Sequence, residues 1–344
     1  MIYLNCDYSG GVHPNILKRL METNEETSGV YGFDHYSEEA RNKIKELCNN
    51  EDMDIFFISG GTQTNVVAIS ATIKHYQAVI SCDTGHINTH ECGAVENTGH
   101  KIVTLPNRNG KLWAKDIAKL IDAHHVQGMA RIHDVQPRMV YLSNSTEFGT
   151  IYTRKEIEEI YQVCQQHGLY LYIDGARLGY ALTAENNDID LEFLASHCDL
   201  FYIGGTKIGA MFGEALVVIN PEIRKDFQYN LKLRGALLAK GRMLGIQFLE
   251  LFTDNLYFDI ARNANMLSTK LRKALVEKGY ELTVNSPTNL TFVVMSDEKL
   301  MRLSQDFAFE VISRHDEYSK VVRIATGWDT KEEDIDALIE RLIE

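Results

Sequence analysis

Two short motifs concentrate the ionisable chemistry of this chain: Asp174-Gly175-Ala176-Arg177 and Gly204-Gly205-Thr206-Lys207. Each follows an apolar run rich in β-formers, Leu169-Tyr170-Leu171-Tyr172-Ile173 before the first and Leu200-Phe201-Tyr202-Ile203 before the second. Short apolar runs closed by turn residues read as buried strands. Each motif therefore sets one carboxylate or one amine at the carboxyl end of a strand, the edge at which open α/β sheets bind ligands. A carboxylate that keeps a pyridine nitrogen protonated, beside a lysine that carries an aldehyde as an imine, is the equipment of pyridoxal phosphate chemistry.

Other residues extend that pair. Ser59-Gly60-Gly61-Thr62 stands between a strand and a helix, where free N–H groups and the Thr62 hydroxyl suit a phosphate; alone, a Gly-Gly pair there is more often just a tight turn. His86 follows another strand and can lie on an aromatic ring or act as a base, or simply be satisfied by backbone. His86, His90 and Glu91 lack the His-Glu-x-x-His order and any cysteine partner, so no metal is expected. Lys207 lacks the spacing of a P-loop, and burial after a strand would free its amine. Asp174 and Arg177 by themselves also read as a structural salt bridge. Arg234, Arg242 and Arg323 are candidate clamps for a carboxylate or phosphate.

The elements that must position these residues alternate from residue 54 to 220. Strands are expected at 55–59, 78–82, 101–105, 139–143, 169–173, 200–203 and 215–219, with helical segments between them. One of those helices carries a capping-box spacing from Thr153 to Glu156. The pattern predicts an α/β fold, a mostly parallel seven-stranded sheet with helices on both faces. Beyond residue 235 two long helices are expected at 235–253 and 257–278, then strands at 290–295 and 321–325. This gives a large cofactor-binding domain over 15–235 and a smaller α+β domain from 1–14 with 236–344.

The 344 residues, 44% apolar and 24% charged, are enough for such a core and exclude a disordered or fibrous chain. A formal net charge of −13 argues against nucleic acid or an anionic membrane as partner. The six cysteines, Cys6, Cys48, Cys82, Cys92, Cys164 and Cys198, form no framework, and the sequence shows neither a signal-peptide pattern nor a membrane-length apolar run. A soluble cytoplasmic location is expected.

The order Tyr31-Gly32-x-Asp34, Ser59-Gly60-Gly61-Thr62, His86-Ile87, Asp174-Gly175-Ala176-Arg177-Leu178 and Lys207 resembles the low-specificity threonine aldolases. These form part of the β-eliminating-lyase branch of the aspartate-aminotransferase-like (type I) pyridoxal phosphate fold. The resemblance implies that Gly60, Gly61 and Thr62 hold the cofactor phosphate, His86 stacks on the ring and assists at the substrate's β-hydroxyl, Asp174 pairs with the ring nitrogen and Lys207 forms the imine. It further implies that Arg177 and Arg323, with Ser9 and Tyr31, bind the amino-acid substrate, and that Arg242 reaches a cofactor phosphate across the interface of a homodimer or homotetramer. The implied reaction is cleavage of L-threonine or L-allo-threonine to glycine and an aldehyde, with β-elimination or transamination as the alternative. The chain departs from the family pattern at Asn144-Ser145-Thr146-Glu147, where relatives carry Glu-Asn-Thr-His, and at Thr206-Lys207-Ile208-Gly209 in place of Ser-Lys-Gly-Leu-Gly. His133 is only an approximate counterpart, about one residue off register, of a family histidine upstream of that strand.

Overall fold

The computed structural model describes residues 1–342. Its central sheet has seven strands: β1 (Asp54–Ile58), β2 (Gln77–Cys82), β3 (Lys101–Leu105), β4 (Gln136–Ser143), β5 (Tyr170–Asp174), β6 (Leu200–Gly204) and β7 (Glu214–Val218). Their spatial order is β1-β7-β6-β5-β4-β2-β3, with β7 antiparallel to both neighbours and every other pair parallel. All seven strands read from the sequence form, with ends displaced by a residue or a few. Their side chains alternate between two cores. Val140, Leu142, Leu171, Ile173, Phe201 and Ile203 pack on one face, and Met139, Tyr141, Tyr172, Leu200 and Tyr202 on the other. That period of two, apolar on both faces, is what a sheet buried on both sides requires.

Helix α1 (Gly61–Thr72) leaves β1, and the single-turn α2 (His86–Thr89) follows β2. The helix between β4 and β5, α3 (Arg154–His167), is closed by the expected Thr153–Glu156 capping box and by Gly168 in the left-handed region. The helix expected at 235–253 begins only at Arg242, as α4 (Arg242–Leu251). Gly235 (φ +68°) ends the preceding short helix, Phe227–Leu233, and the intervening loop is pressed onto residues 31–32, with Tyr31 N–H donating to the Ala239 carbonyl at 2.9 Å. The second long helix, α5 (Leu256–Glu277), lies close to expectation.

A second sheet of three antiparallel strands, β8 (Leu290–Ser296), β9 (Glu310–Arg314) and β10 (Ser319–Ala325), runs in the order β9-β10-β8. It packs Val293, Met295, Val322 and Ile324 against Leu267, Leu271 and Leu275 of α5. The strand β9 was not read from the sequence, because only its first residue is even partly buried and no apolar run marks it. The amino-terminal residues dock beside this sheet: Ile2–Tyr3 forms a separate parallel pair with Phe307–Ala308, and Ala325 N–H donates to the Leu4 carbonyl at 2.9 Å. From there the chain carries Asp7 to the edge of the central sheet. Among the described residues no helix is long and apolar enough to cross a membrane.

Candidate active site

Asp174 and Gly204 end the adjacent parallel strands β5 and β6, so the two motifs leave the sheet side by side. The approach is close enough to need glycine. A Cβ on Gly175 would stand 1.8 Å from the Tyr202 carbonyl oxygen, and one on Gly204 2.4 Å from that of Ala176.

Asp174 is buried and heavily partnered. Its Oδ2 accepts from Tyr141 Oη at 2.6 Å and Asn65 Nδ2 at 3.1 Å, and its Oδ1 accepts from Ala176 N–H at 3.0 Å. Burial pushes this carboxyl up, but the nearby His86 and hydrogen bonds from Tyr141, Tyr202 and the Ala176 N–H outweigh it and hold the group below its ordinary value. The result is a carboxylate kept ionised in a dry place, which calls for a cationic partner.

Lys207 shows the opposite balance. Burial first, then the neighbouring Arg177 charge, pull its amine down, against Asp7, Asp174 and Glu214. Its Nζ lies 5.7 Å from the Tyr8 ring centroid, and its backbone carbonyl accepts from Tyr180 Oη at 2.6 Å.

His86 opens α2. Its Nδ1 is 2.7 Å from Glu91 Oε1, whose carboxylate accepts, so Nδ1 carries the hydrogen and Nε2 is left as the free ring nitrogen. Asn65 Nδ2 donates to the same Glu91 oxygen at 2.7 Å, which joins the His86 and Asp174 networks. Glu147 Oε1 accepts from His86 N–H at 2.9 Å and Ser143 Oγ at 2.6 Å. His90 stacks on His86 at 5.5 Å between centroids.

At the start of α1, Gly60 is extended (φ −173°) and no side chain caps the helix. A Cβ on Gly60 would meet nothing within 4 Å, so there is room beside the start of the helix. An uncapped helix N-terminus with room before it suits a phosphate.

The two clamp arginines are already engaged. Arg177 donates Nε and Nη2 to Asp7 at 2.8 and 2.9 Å, which leaves Nη1 as its free edge. Arg323 pairs with Glu310 and donates to the Asn5 carbonyl at 3.2 Å, while its buried Nε has no partner. Ser9 donates to the Cys6 carbonyl at 3.3 Å, on the segment that brings Tyr8 to Lys207. The structure does not join Tyr31 and Arg242 to this cluster within one chain. Tyr31 (φ +58°) lies under Lys232 Nζ at 4.9 Å, and Arg242 donates to the Thr23 and Asn24 carbonyls at 3.2 and 3.4 Å. Arg234 donates to Ser70 Oγ at 3.3 Å. His133, exposed in the turn before β4 and a strand's length from the carboxyl edge where Ser143 sits, is likewise not joined to this cluster within one chain.

Several participants escape a reading of the sequence. Asp7 and Asn289, whose Nδ2 donates to Asp7 Oδ2 at 2.9 Å, are 282 residues apart. Tyr141, Tyr172 and Tyr202 look like core residues of strands, yet Tyr172 Oη donates to Asn65 Oδ1 at 2.7 Å. The one available signal was phenols in runs otherwise apolar, since a buried Tyr hydroxyl needs a partner.

The donor set suits a phosphorylated pyridine aldehyde: an ionised acid for its ring nitrogen, an amine for its aldehyde and open helix amides for its phosphate. Sheet order and site together define an aspartate-aminotransferase-like (type I) pyridoxal phosphate protein, and pyridoxal phosphate is its cofactor. The family model described as beta-eliminating lyase matches residues 6–306, and the chain belongs to that family. It is 30% identical over 331 residues to a low specificity L-threonine aldolase of Pseudomonas sp., covering 95% of this chain and 92% of that one. Identity is also 30% to the Pseudomonas aeruginosa low specificity L-threonine aldolase over 301 residues, 86% of this chain and 85% of the relative. The solved structure of Leishmania major threonine aldolase superposes with a TM-score of 0.97 at 40% identity, over 100% of this chain and 99% of that one.

Proposed function

We propose that this lyase cleaves β-hydroxy-α-amino acids, L-threonine and L-allo-threonine among them, to glycine and an aldehyde. The observation that carries the reading is the juxtaposition of an ionised buried carboxylate, Asp174, with a buried amine pulled below its ordinary value, Lys207, at the ends of neighbouring strands. The similarity to L-threonine aldolases selects the reaction from those this pair can serve.

Bound pyridoxal phosphate supplies the electron sink for the pair left when the Cα–Cβ bond breaks. Lys207 Nζ would hold the cofactor through its aldehyde, and the Asp174 carboxylate would keep its ring nitrogen protonated. The amides of Gly61 and Thr62, after Gly60, hold the phosphate. Arg177 through Nη1 and Arg323 orient the substrate carboxylate, Arg323 exchanging Glu310 for it. His86 Nε2, its tautomer fixed by Glu91, takes the β-hydroxyl proton. Burial of Lys207 and Asp174 keeps water from the charges that build there.

Tyr31 and Arg242 are assigned to the site of a second subunit, in at least a dimer. Exposed Leu17, Met21, Val30 and Phe33 around them favour that reading. The six cysteines, all free, favour the cytoplasm.

A coupled assay tests the reaction. With pyridoxal phosphate, L-threonine should give acetaldehyde and glycine in equal amounts. Ammonia with a 2-oxoacid and no aldehyde would overturn the reading in favour of elimination, and amino exchange with an added 2-oxoacid in favour of transamination.

A further inference from the structure

Glu214 opens β7 at the catalytic edge, in register with Gly204 of β6 on one side and Ile58 of β1 on the other. It stands between the lysine turn and the strand that leads to Gly60, and is buried. A carboxyl group so deep in a sheet must be hydrogen-bonded or neutralised. Its partners are the two residues immediately before Lys207: Gly205 N–H donates to Oε2 at 3.1 Å, and Thr206 Oγ1 lies 2.9 Å from Oε1.

The Thr206 hydroxyl has a second option. Gly213 N–H donates to Thr206 Oγ1 at 3.0 Å, and the Gly213 carbonyl oxygen stands 3.5 Å from the same atom. With Glu214 ionised, Thr206 O–H donates to Oε1. With Glu214 protonated, its O–H donates to Thr206 Oγ1, and the threonine hydrogen turns to the Gly213 carbonyl. Both states keep every polar atom partnered, so a proton can come and go without backbone movement. Burial pushes the carboxyl up to about 8, and the hydrogen bonds of Thr206 and Gly205 and the Lys207 charge only partly oppose it. The ionisable groups facing it are Lys207, Asp174 and the phenols of Tyr172, Tyr202 and Tyr257. Asp174 is held ionised and burial pushes the phenols up, which leaves Lys207 as the cationic group facing Glu214.

We propose that Glu214 is the positioning residue and proton store of Lys207: it fixes the Gly205–Thr206 turn and carries the proton that the lysine must lack to act as a nucleophile. In the exchange Lys207 –NH3+ and Glu214 –COO− become –NH2 and –COOH, one proton moving and no other bond changing. The inference rests on reading Lys207 as the residue that holds the cofactor.

Glu214→Gln keeps both hydrogen bonds and cannot titrate. In the holoenzyme, the visible absorbance of the bound cofactor is followed from about pH 6 to about pH 10, in wild type and variant. The midpoint in E214Q should fall by about one pH unit, because the negative charge that forms beside Lys207 in the wild type is gone, and the alkaline limb of kcat/KM should move with it. An unmoved midpoint and pH profile overturn the proposal. If E214Q does not fold, wild-type infrared difference spectra between neutral and alkaline pH decide instead. A protonated-carboxyl band that disappears on the alkaline side and shifts in Thr206→Val supports the proposal, and its absence overturns it. A wild type that stays colourless with pyridoxal phosphate overturns the functional reading, and the infrared result still decides the state of Glu214.

Discussion

Asp7 and Arg177 close a bidentate ion pair across 170 residues of chain, Nε to Oδ2 at 2.8 Å and Nη2 to Oδ1 at 2.9 Å. Both are buried, and Asn289 donates to the same carboxylate. The pair turns the amino-terminal segment into a wall of the site and presents Arg177 by one edge only. It also gives the acid-sensitive element of the fold. Burial pushes the Asp7 carboxyl up, yet the charges of Arg177 and Lys207 and the hydrogen bonds of Arg177 and Asn289 outweigh it and hold it at about 2, against an ordinary 3.8.

Asp7→Asn should cost about 3–5 kcal/mol, since it leaves the Arg177 charge buried without its counter-ion. Denaturant titration at neutral pH checks this. The sign with pH follows from the lowered value: the contribution is complete above about 3.8 and is lost as pH falls through about 2. The difference between wild type and variant should therefore shrink across that window and stay constant above it. A constant difference down to the acid limit would mean that Asp7 is not ionised in the folded protein.

Lys207→Ala should abolish the shifted visible absorbance of the bound cofactor and lower turnover by at least about 10^3-fold. Borohydride treatment of the wild type with pyridoxal phosphate, followed by peptide mass analysis, should place the reduced cofactor on Lys207. Its recovery on another lysine would refute the assignment.

Asp174→Asn keeps the size of the side chain and removes its charge. Turnover should fall by about 10^2–10^4-fold with cofactor still bound, because the ring nitrogen loses its counter-charge in a buried site. Tyr141→Phe removes one of the hydrogen bonds to the same carboxylate, at 2.6 Å, and should cost about 10-fold. Equal losses in the two variants would contradict the proposed role of the charge.

Much of this was legible in the sequence, for a definable reason. Asp174 and Lys207 follow apolar runs that can only be buried strands, and strand ends of a parallel sheet converge on one edge. His86 and Gly60–Thr62 follow strands in the same way. What the residues could not disclose is what long-range contact supplies. Asp7 is an unremarked acid until the small sheet delivers it to Arg177. Asn65 is the fourth residue after the Gly60-Gly61 pair, yet its amide joins Glu91 to Asp174. The helix expected from residue 235 was misplaced because the 235–241 loop is shaped by Gly32, whose N lies 2.4 Å from where a Cβ of Gly241 would be. Tyr31 and Arg242 stand apart from the cluster of a single chain, so their role turns on assembly.

Glu91→Gln tests how His86 is held. The neutral amide no longer favours the Nδ1–H tautomer or the imidazolium, so kcat should fall about 10-fold while KM changes less. Loss confined to KM would instead mark Glu91 as a shaper of the substrate pocket.

Two glycines at the same edge separate folding from cofactor binding. Gly175→Ala places a Cβ 1.8 Å from the Tyr202 carbonyl oxygen, backbone that cannot yield without parting β5 from β6. It should destabilise the protein by more than about 4 kcal/mol, seen as loss of soluble yield or a sharply lowered Tm. Gly60→Ala is the counterpart. Its backbone is extended at φ −173°, a conformation open to any residue, and its Cβ would meet nothing within 4 Å. Stability of the apoprotein should change by less than about 0.5 kcal/mol. The new methyl would nevertheless stand in the space before the α1 amides, so cofactor affinity, measured by absorbance titration, should weaken about 10-fold or more. If Gly60→Ala binds pyridoxal phosphate as the wild type does, the phosphate does not rest on that helix end.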